Sequence, residues 1–151
     1  MTKVIHPIAG ALALLTIISF WLSTAMSELF GSEKLVVTVK TMIPWGFLIL
    51  IPALMAAGGS GFQLGKAWRN PLVTVKRKRM PIIAGNGIVI LMPSALYLSS
   101  KAQAGSFDAG FYMVQAIELI AGAVNITLLG LNMRDGLKLT RKRSAPRKAD
   151  D

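Results

Sequence analysis

The sequence predicts an all-α fold: a bundle of four transmembrane helices running up-down-up-down, with both termini in the cytoplasm. Composition, run length and charge placement predict it. Hydrophobic residues make up 53% of the 151-residue chain and charged residues only 16%, against about 25% charged in a soluble domain. Four apolar runs are long enough to cross a hydrocarbon core of roughly 30 Å, which takes about 20 helical residues. The basic residues gather in alternate links between those runs.

Span one covers about 7–30 (PIAGALALLTIISFWLSTAMSELF). Lys3 precedes it, but the apolar run is too long for a signal peptide and no small-residue cleavage site follows, so the segment reads as a retained helix. Span two covers about 36–58, span three 81–99 and span four about 109–133. Their apolar character is continuous and does not alternate, which excludes barrel strands. Pro44, Pro52 and Pro93 interrupt spans two and three, and each frees a carbonyl that a neighbour or water must satisfy. Residues 1–139 form the membrane domain, and 140–151 read as a polar, basic, disordered tail.

Charge sets the orientation. Lys66, Arg69, Lys76, Arg77, Lys78 and Arg79 lie between spans two and three without an acid. Arg134, Lys138, Arg141, Lys142, Arg143, Arg147 and Lys148 follow span four. With Lys3 these lie on one side, leaving Lys34, Lys40 and Lys101 for the other. The positive-inside rule then puts both termini in the cytoplasm. Trp45, Tyr97 and Tyr112 suit the outer interface and Trp68 the inner one. The net charge of +10 thereby has a membrane explanation, and no nucleic-acid partner is expected. The expected surroundings are the bilayer, with a homodimer or a larger membrane complex.

The chain has no cysteine and one histidine. Disulfides, thiolate metal sites, zinc spacings and a bis-His haem within one chain are excluded. The stretch from Gly58 to Lys66 is glycine-rich but is not a phosphate loop: Ser60 stands where the first glycine belongs, and Ala67 where Ser or Thr would meet Mg²⁺. A Ser/His/Asp triad has no support, and no enzyme class is marked.

Polar groups at membrane depth are functional candidates. Gln115, Glu118, Gly122, Asn125 and Asn132 recur at helical spacing along one face of span four. That face should turn inward, either for interhelical hydrogen bonds or as an ion path. Lys40 either snorkels outward, pairs with Glu28 or pairs with Glu118. Asn86, between Gly85 and Gly87, allows close approach of backbone or ligand in span three. His6, Ala9, Ala13, Thr16, Phe20, Ser23 and Ser27 share a face of span one.

Spans one and three open alike, as IHPIAGALALL and RMPIIAGNGIVIL, each with a proline in the first turn. If the two hairpins are equivalent, His6 and Met80 stand at equal depth near the cytoplasmic face. His with Met is an axial set for haem iron. Arg79 and Arg134 would then neutralise the propionates. A quinone site at His6 or Glu118 is the variant of this reading.

His6-Pro7-Ile8-Ala9-Gly10, Phe20-Trp21 and Asn132-Met133-Arg134-Asp135-Gly136-Leu137 carry a resemblance. The chain resembles an uncharacterised family of small bacterial inner-membrane proteins with four spans, up to about Leu139. It is only loosely similar to small membrane cytochromes b, which use several intramembrane histidines. Three functional readings follow: a redox module binding haem b or quinone; a non-catalytic accessory or assembly subunit of a membrane complex; a small transporter or proton-conducting oligomer.

Overall fold

The computed structural model describes residues 2–66 and 71–144. They form four long helices: α1 (Thr2–Phe30), α2 (Glu33–Lys66), α3 (Pro71–Gln103) and α4 (Ala109–Ser144). No strand occurs among the described residues. Each helix contains a stretch long and apolar enough to cross a membrane. The chain is thus an all-helical protein with four candidate spans.

Chain neighbours are also neighbours in space. α1 packs on α2, α2 on the second half of α3, α3 on α4, and α4 back on α1. Among the described residues the diagonal pairs, α1/α3 and α2/α4, have no close backbone approach. The bundle is therefore a four-cornered ring of antiparallel neighbours.

The turns have local causes. Only Gly31 and Ser32 separate α1 from α2, and the Ser32 carbonyl accepts from the Leu35 and Val36 N–H groups to start α2. α3 ends in a Schellman motif, with Ser106 N–H on the Lys101 carbonyl, Gly105 N–H on the Ala102 carbonyl, and Gly105 at φ +64°. Asp108 then caps α4 by accepting the Phe111 N–H at 2.9 Å. The Lys101 ammonium, and after it that N–H, holds the Asp108 carboxyl below its usual range.

α3 changes character midway. It is α-helical over Pro71–Asn86, takes a π-helical turn over Gly87–Leu91, and is α-helical again over Met92–Gln103. The Met92 N–H bonds to the Gly87 carbonyl, five residues back. Pro93, next in the chain, has no N–H, so the ladder widens just before it.

One apolar cluster (Ala13, Ile17, Leu50, Ala53, Ile83, Leu129) fills the half of the bundle nearer the termini. A second (Val36, Leu98, Ala102, Phe111) fills the opposite end. Large apolar side chains also point outward from every helix, among them Leu15, Leu48, Met55, Val89 and Ile120. In water that surface would drive association; against hydrocarbon it is ordinary exterior.

The helices outrun the expected spans. α2 and α4 have 34 and 36 residues, or about 51 and 54 Å at the helical rise, well beyond a bilayer core. The long basic link expected between spans two and three is mostly helix. α2 continues to Lys66 and α3 begins at Pro71. Arg, Lys and Gln are good helix formers, so loss of hydrophobicity did not end the helix. Pro71 takes the N1 place; Pro7 and Pro81, expected in first turns, lie inside helices. At the other end, 140–144 belong to α4, not to a disordered tail, while 145–151 and Trp68 lie outside the described residues. The buried edge of α1 runs through Ala9, Ala13, Ile17, Thr24 and Ser27. Ile17 and Thr24 replace the expected Thr16 and Ser23, because α1 lies between α2 and α4 and buries the line between them.

Candidate functional site

The polar face of α4 turns inward and passes through the bundle in layers. Gln115, Asn125 and Asn132 are all buried. Each layer joins α4 to another helix.

The layer farthest from the termini centres on an ion pair. Lys40 of α2 is 1% exposed, and its Nζ donates to Glu118 Oε2 of α4 at 2.7 Å. The pair crosses a diagonal of the bundle, where no backbone contact exists. Of the three fates open to Lys40, the structure takes pairing with Glu118. Gln115, one turn before Glu118, donates its amide to the same carboxylate oxygen at 3.3 Å. Glu28, near the end of α1, lies within electrostatic reach of both Lys40 and Glu118. A second carboxylate thus stands within electrostatic reach of the ion pair, without touching it.

Toward the bundle centre, Glu118 borders a cavity of about 50 Å³ lined from all four helices, including Trp21, Thr24, Phe47, Leu91 and Gly122. A water needs roughly 10–15 Å³ of such space and two or more polar partners. The cavity has the volume for a few waters, but its wall is mostly apolar, and the Glu118 carboxylate and Thr24 hydroxyl are the side-chain groups a water there would meet.

The middle layer is a clasp between α3 and α4. Asn86 donates to the Ala121 carbonyl at 2.8 Å and to Asn125 Oδ1 at 2.9 Å. Asn125 donates to the Ile83 carbonyl at 3.3 Å. Asn86 is the last residue before the π turn, so the clasp fixes the helix where its ladder changes.

The layer nearest the termini holds the residues expected around a haem. His6 Nδ1 lies 2.9 Å from the Ala57 carbonyl. A carbonyl only accepts, so Nδ1 carries the hydrogen and Nε2 the lone pair. Lys76 Nζ faces Nε2 at 3.5 Å. The ring also rests on Gly61, where a Cβ would come within 2.8 Å of Cε1. Met80 sulfur accepts from Asn132 at 3.4 Å. Arg79 bonds Asp135 Oδ2 at 2.7 Å and reaches Asn132 at 3.5 Å. Arg134 Nε stands 3.5 Å from Asp135 Oδ1. Both nitrogens of His6, the Met80 sulfur and both arginines are thus engaged with protein groups. This donor set does not fit a haem iron as it is arranged. Among the described residues no group of three His, Asp or Glu side chains is placed to hold a metal.

Asp135, Lys76 and Trp21 escape the reading of the sequence. Asp135 is 3% exposed and lies three residues beyond Asn132, so it continues the α4 face. Its surroundings of Arg134 and Lys138 mark it as part of a basic end. Trp21 donates to the Leu119 carbonyl at 2.9 Å, a main-chain partner that no sequence pattern identifies.

Compared with family models, curated proteins and solved structures, the chain matches none.

Proposed function

We propose that this chain is a multi-pass protein of the bacterial inner membrane, with both termini in the cytoplasm, whose Lys40–Glu118 centre takes up and releases protons in moving them across the bundle. The orientation rests on charge. The basic residues of α3's first turns and of α4's last turns lie at the end that carries the termini, and positive residues favour the cytoplasmic side. The function rests on one observation, a buried ion pair across the diagonal with a second carboxylate beside it.

Glu28, Glu118 and Lys40 together sum to one excess negative charge when all are ionised. An uncompensated charge in low dielectric costs several kcal/mol, so the cluster favours taking up one positive charge. A proton on Glu118 weakens its hold on Lys40 and leaves Glu28 as the ammonium's partner. Water entering the cavity would meet Glu118 from its inner side, and Glu28 lies toward the outer end of α1. The centre can thus exchange protons with different faces of the layer.

The test is proton uptake into liposomes carrying the purified protein and an internal pH dye, under an imposed potential. Wild type should exceed empty liposomes, and Glu118→Gln should fall to their level while keeping its helical circular dichroism. Equal flux in both proteins would overturn the proposal.

The redox reading retains one supporting observation: His6 and Met80 pack against the same stretch of α2, at Gly61 and Gly58. It requires His6 to exchange Lys76 for iron, and Met80 to release Asn132. A reduced-minus-oxidised spectrum with Soret and α bands, lost in His6→Ala, would establish it.

A further inference from the structure

Two oxygen atoms in the Lys40–Glu118 layer have no hydrogen-bond partner although both are buried: Glu28 Oε1 and Gln115 Oε1. The Gln115 side chain is 5% exposed. Its amide nitrogen is committed to Glu118, which leaves its carbonyl oxygen as an orphan acceptor beside the ion pair. Buried polar atoms are nearly always satisfied, and each unsatisfied one is destabilising. Both are acceptors, one on a side chain bonded to Glu118 and the other on a carboxylate within electrostatic reach of Glu118, so a donor or a cation is needed to satisfy them.

The layer restricts what that is. Lys40 gives one of its three N–H groups to Glu118, and neither orphan oxygen is within hydrogen-bond reach of the ammonium. Glu28 carries the excess negative charge. A monovalent cation cancels it, whereas a divalent cation would leave an excess positive charge. Hard cations take carboxylate oxygens, amide carbonyls and water as ligands, and those are the groups present. Glu28 is two residues from the end of α1 and only partly buried, which gives access from the aqueous side.

We infer that Glu28 and Gln115, beside the Lys40–Glu118 pair, form a binding site for a monovalent alkali cation of the sodium or potassium class. The inference rests on the reading of that pair as the working centre, and it names a second ion that the centre handles. Bound there, the cation supplies the positive charge that a proton would otherwise bring, so cation and proton compete for one negative layer.

The test uses the full chain purified in mild detergent. Thermal unfolding is followed in sodium, potassium or choline chloride at constant ionic strength. Sodium or potassium, but not choline, should raise the melting temperature along a saturating curve, because a ligand of the native state alone stabilises it by mass action. Glu28→Gln and Gln115→Leu should each weaken the apparent affinity at least about tenfold, a change of about 1.4 kcal/mol in binding. Equal melting temperatures in all three salts would overturn the site, and the wild type alone decides this should either variant fail to fold. A saturating shift unaffected in both variants would place the cation elsewhere and overturn the assignment. Proton flux that persists without any alkali-ion shift sinks this inference alone; an alkali-ion shift in a protein without flux sinks the proton reading and leaves the site standing.

Discussion

Trp21 donates its indole N–H to the Leu119 carbonyl at 2.9 Å, and its ring occupies the space that a side chain at residue 122 would need. A Cβ on Gly122 would lie 2.9 Å from Trp21 Cδ1. The two residues lock α1 to α4. Small residues allow such close approach in membrane bundles, where packing must replace the hydrophobic drive between helices. Gly122→Ala should therefore destabilise by about 1–3 kcal/mol, the usual cost of overpacking. Trp21→Phe keeps most of the ring and loses the hydrogen bond, for about 0.6–2 kcal/mol. Thermal melting in detergent checks both. A Gly122→Ala protein as stable as wild type would mean that the α1–α4 contact is looser than described.

The Asn86–Asn125 clasp gives a second expectation. Each side chain also bonds a main-chain carbonyl on the opposite helix, so removing either one strands part of the other. Asn86→Leu and Asn125→Leu should each cost about 0.6–2 kcal/mol. Their combination should cost less than the sum, because residues in one network are coupled. A double-variant cycle by reversible unfolding in mixed micelles measures that coupling. Strict additivity would show that the amides do not act as a unit.

The absence of native cysteine makes the topology directly testable. Ser106→Cys lies in the α3–α4 link and Thr74→Cys on the exposed side of α3's first turns. In intact cells a membrane-impermeant maleimide should label the former, and reach the latter only after permeabilisation. The reverse pattern would invert the proposed orientation.

The number of helices was legible because a bilayer span is a one-dimensional signal: twenty apolar residues in a row mean the same thing in any context. Helix ends were not. Lys76–Arg79 and 140–144 are polar but helix-compatible, and hydropathy reports where the bilayer ends, not where hydrogen bonding does. The inward face of α4 was legible from Gln115 to Asn132 because polar residues stand out against an apolar background. Asp135 lacked that contrast. The pairing of Lys40 with Glu118 could be read as one of three options, since both sit several residues inside their spans from the same end. The likeness between the starts of spans one and three led to His6 and Met80 as an axial pair. It could not reveal that Lys76 faces the ring and Asn132 the sulfur, because those partners come from other helices. Glu28's relation to the ion pair depends likewise on how α1 is rotated in the bundle.

The Lys40–Glu118 pair separates stability from function most sharply. Lys40→Met alone leaves a carboxylate without its counter-ion in the bundle interior, and breaking a buried pair by removing one partner costs about 3–5 kcal/mol. Replacing both members with apolar side chains removes the desolvation cost together with the attraction, and such exchanges are often neutral or stabilising by about 1–4 kcal/mol. Lys40→Met combined with Glu118→Leu should therefore melt near or above wild type, while the single Lys40 variant melts well below. Glu28, close to the end of α1, can still be solvated when its neighbours are gone. Proton flux in liposomes should nevertheless be lost in the double variant, since no titratable group then stands beside the cavity. A double variant that is stable and still conducts would reduce the pair to a structural element. One that is stable and silent would show that the charges are kept for what they carry, not for what they hold together.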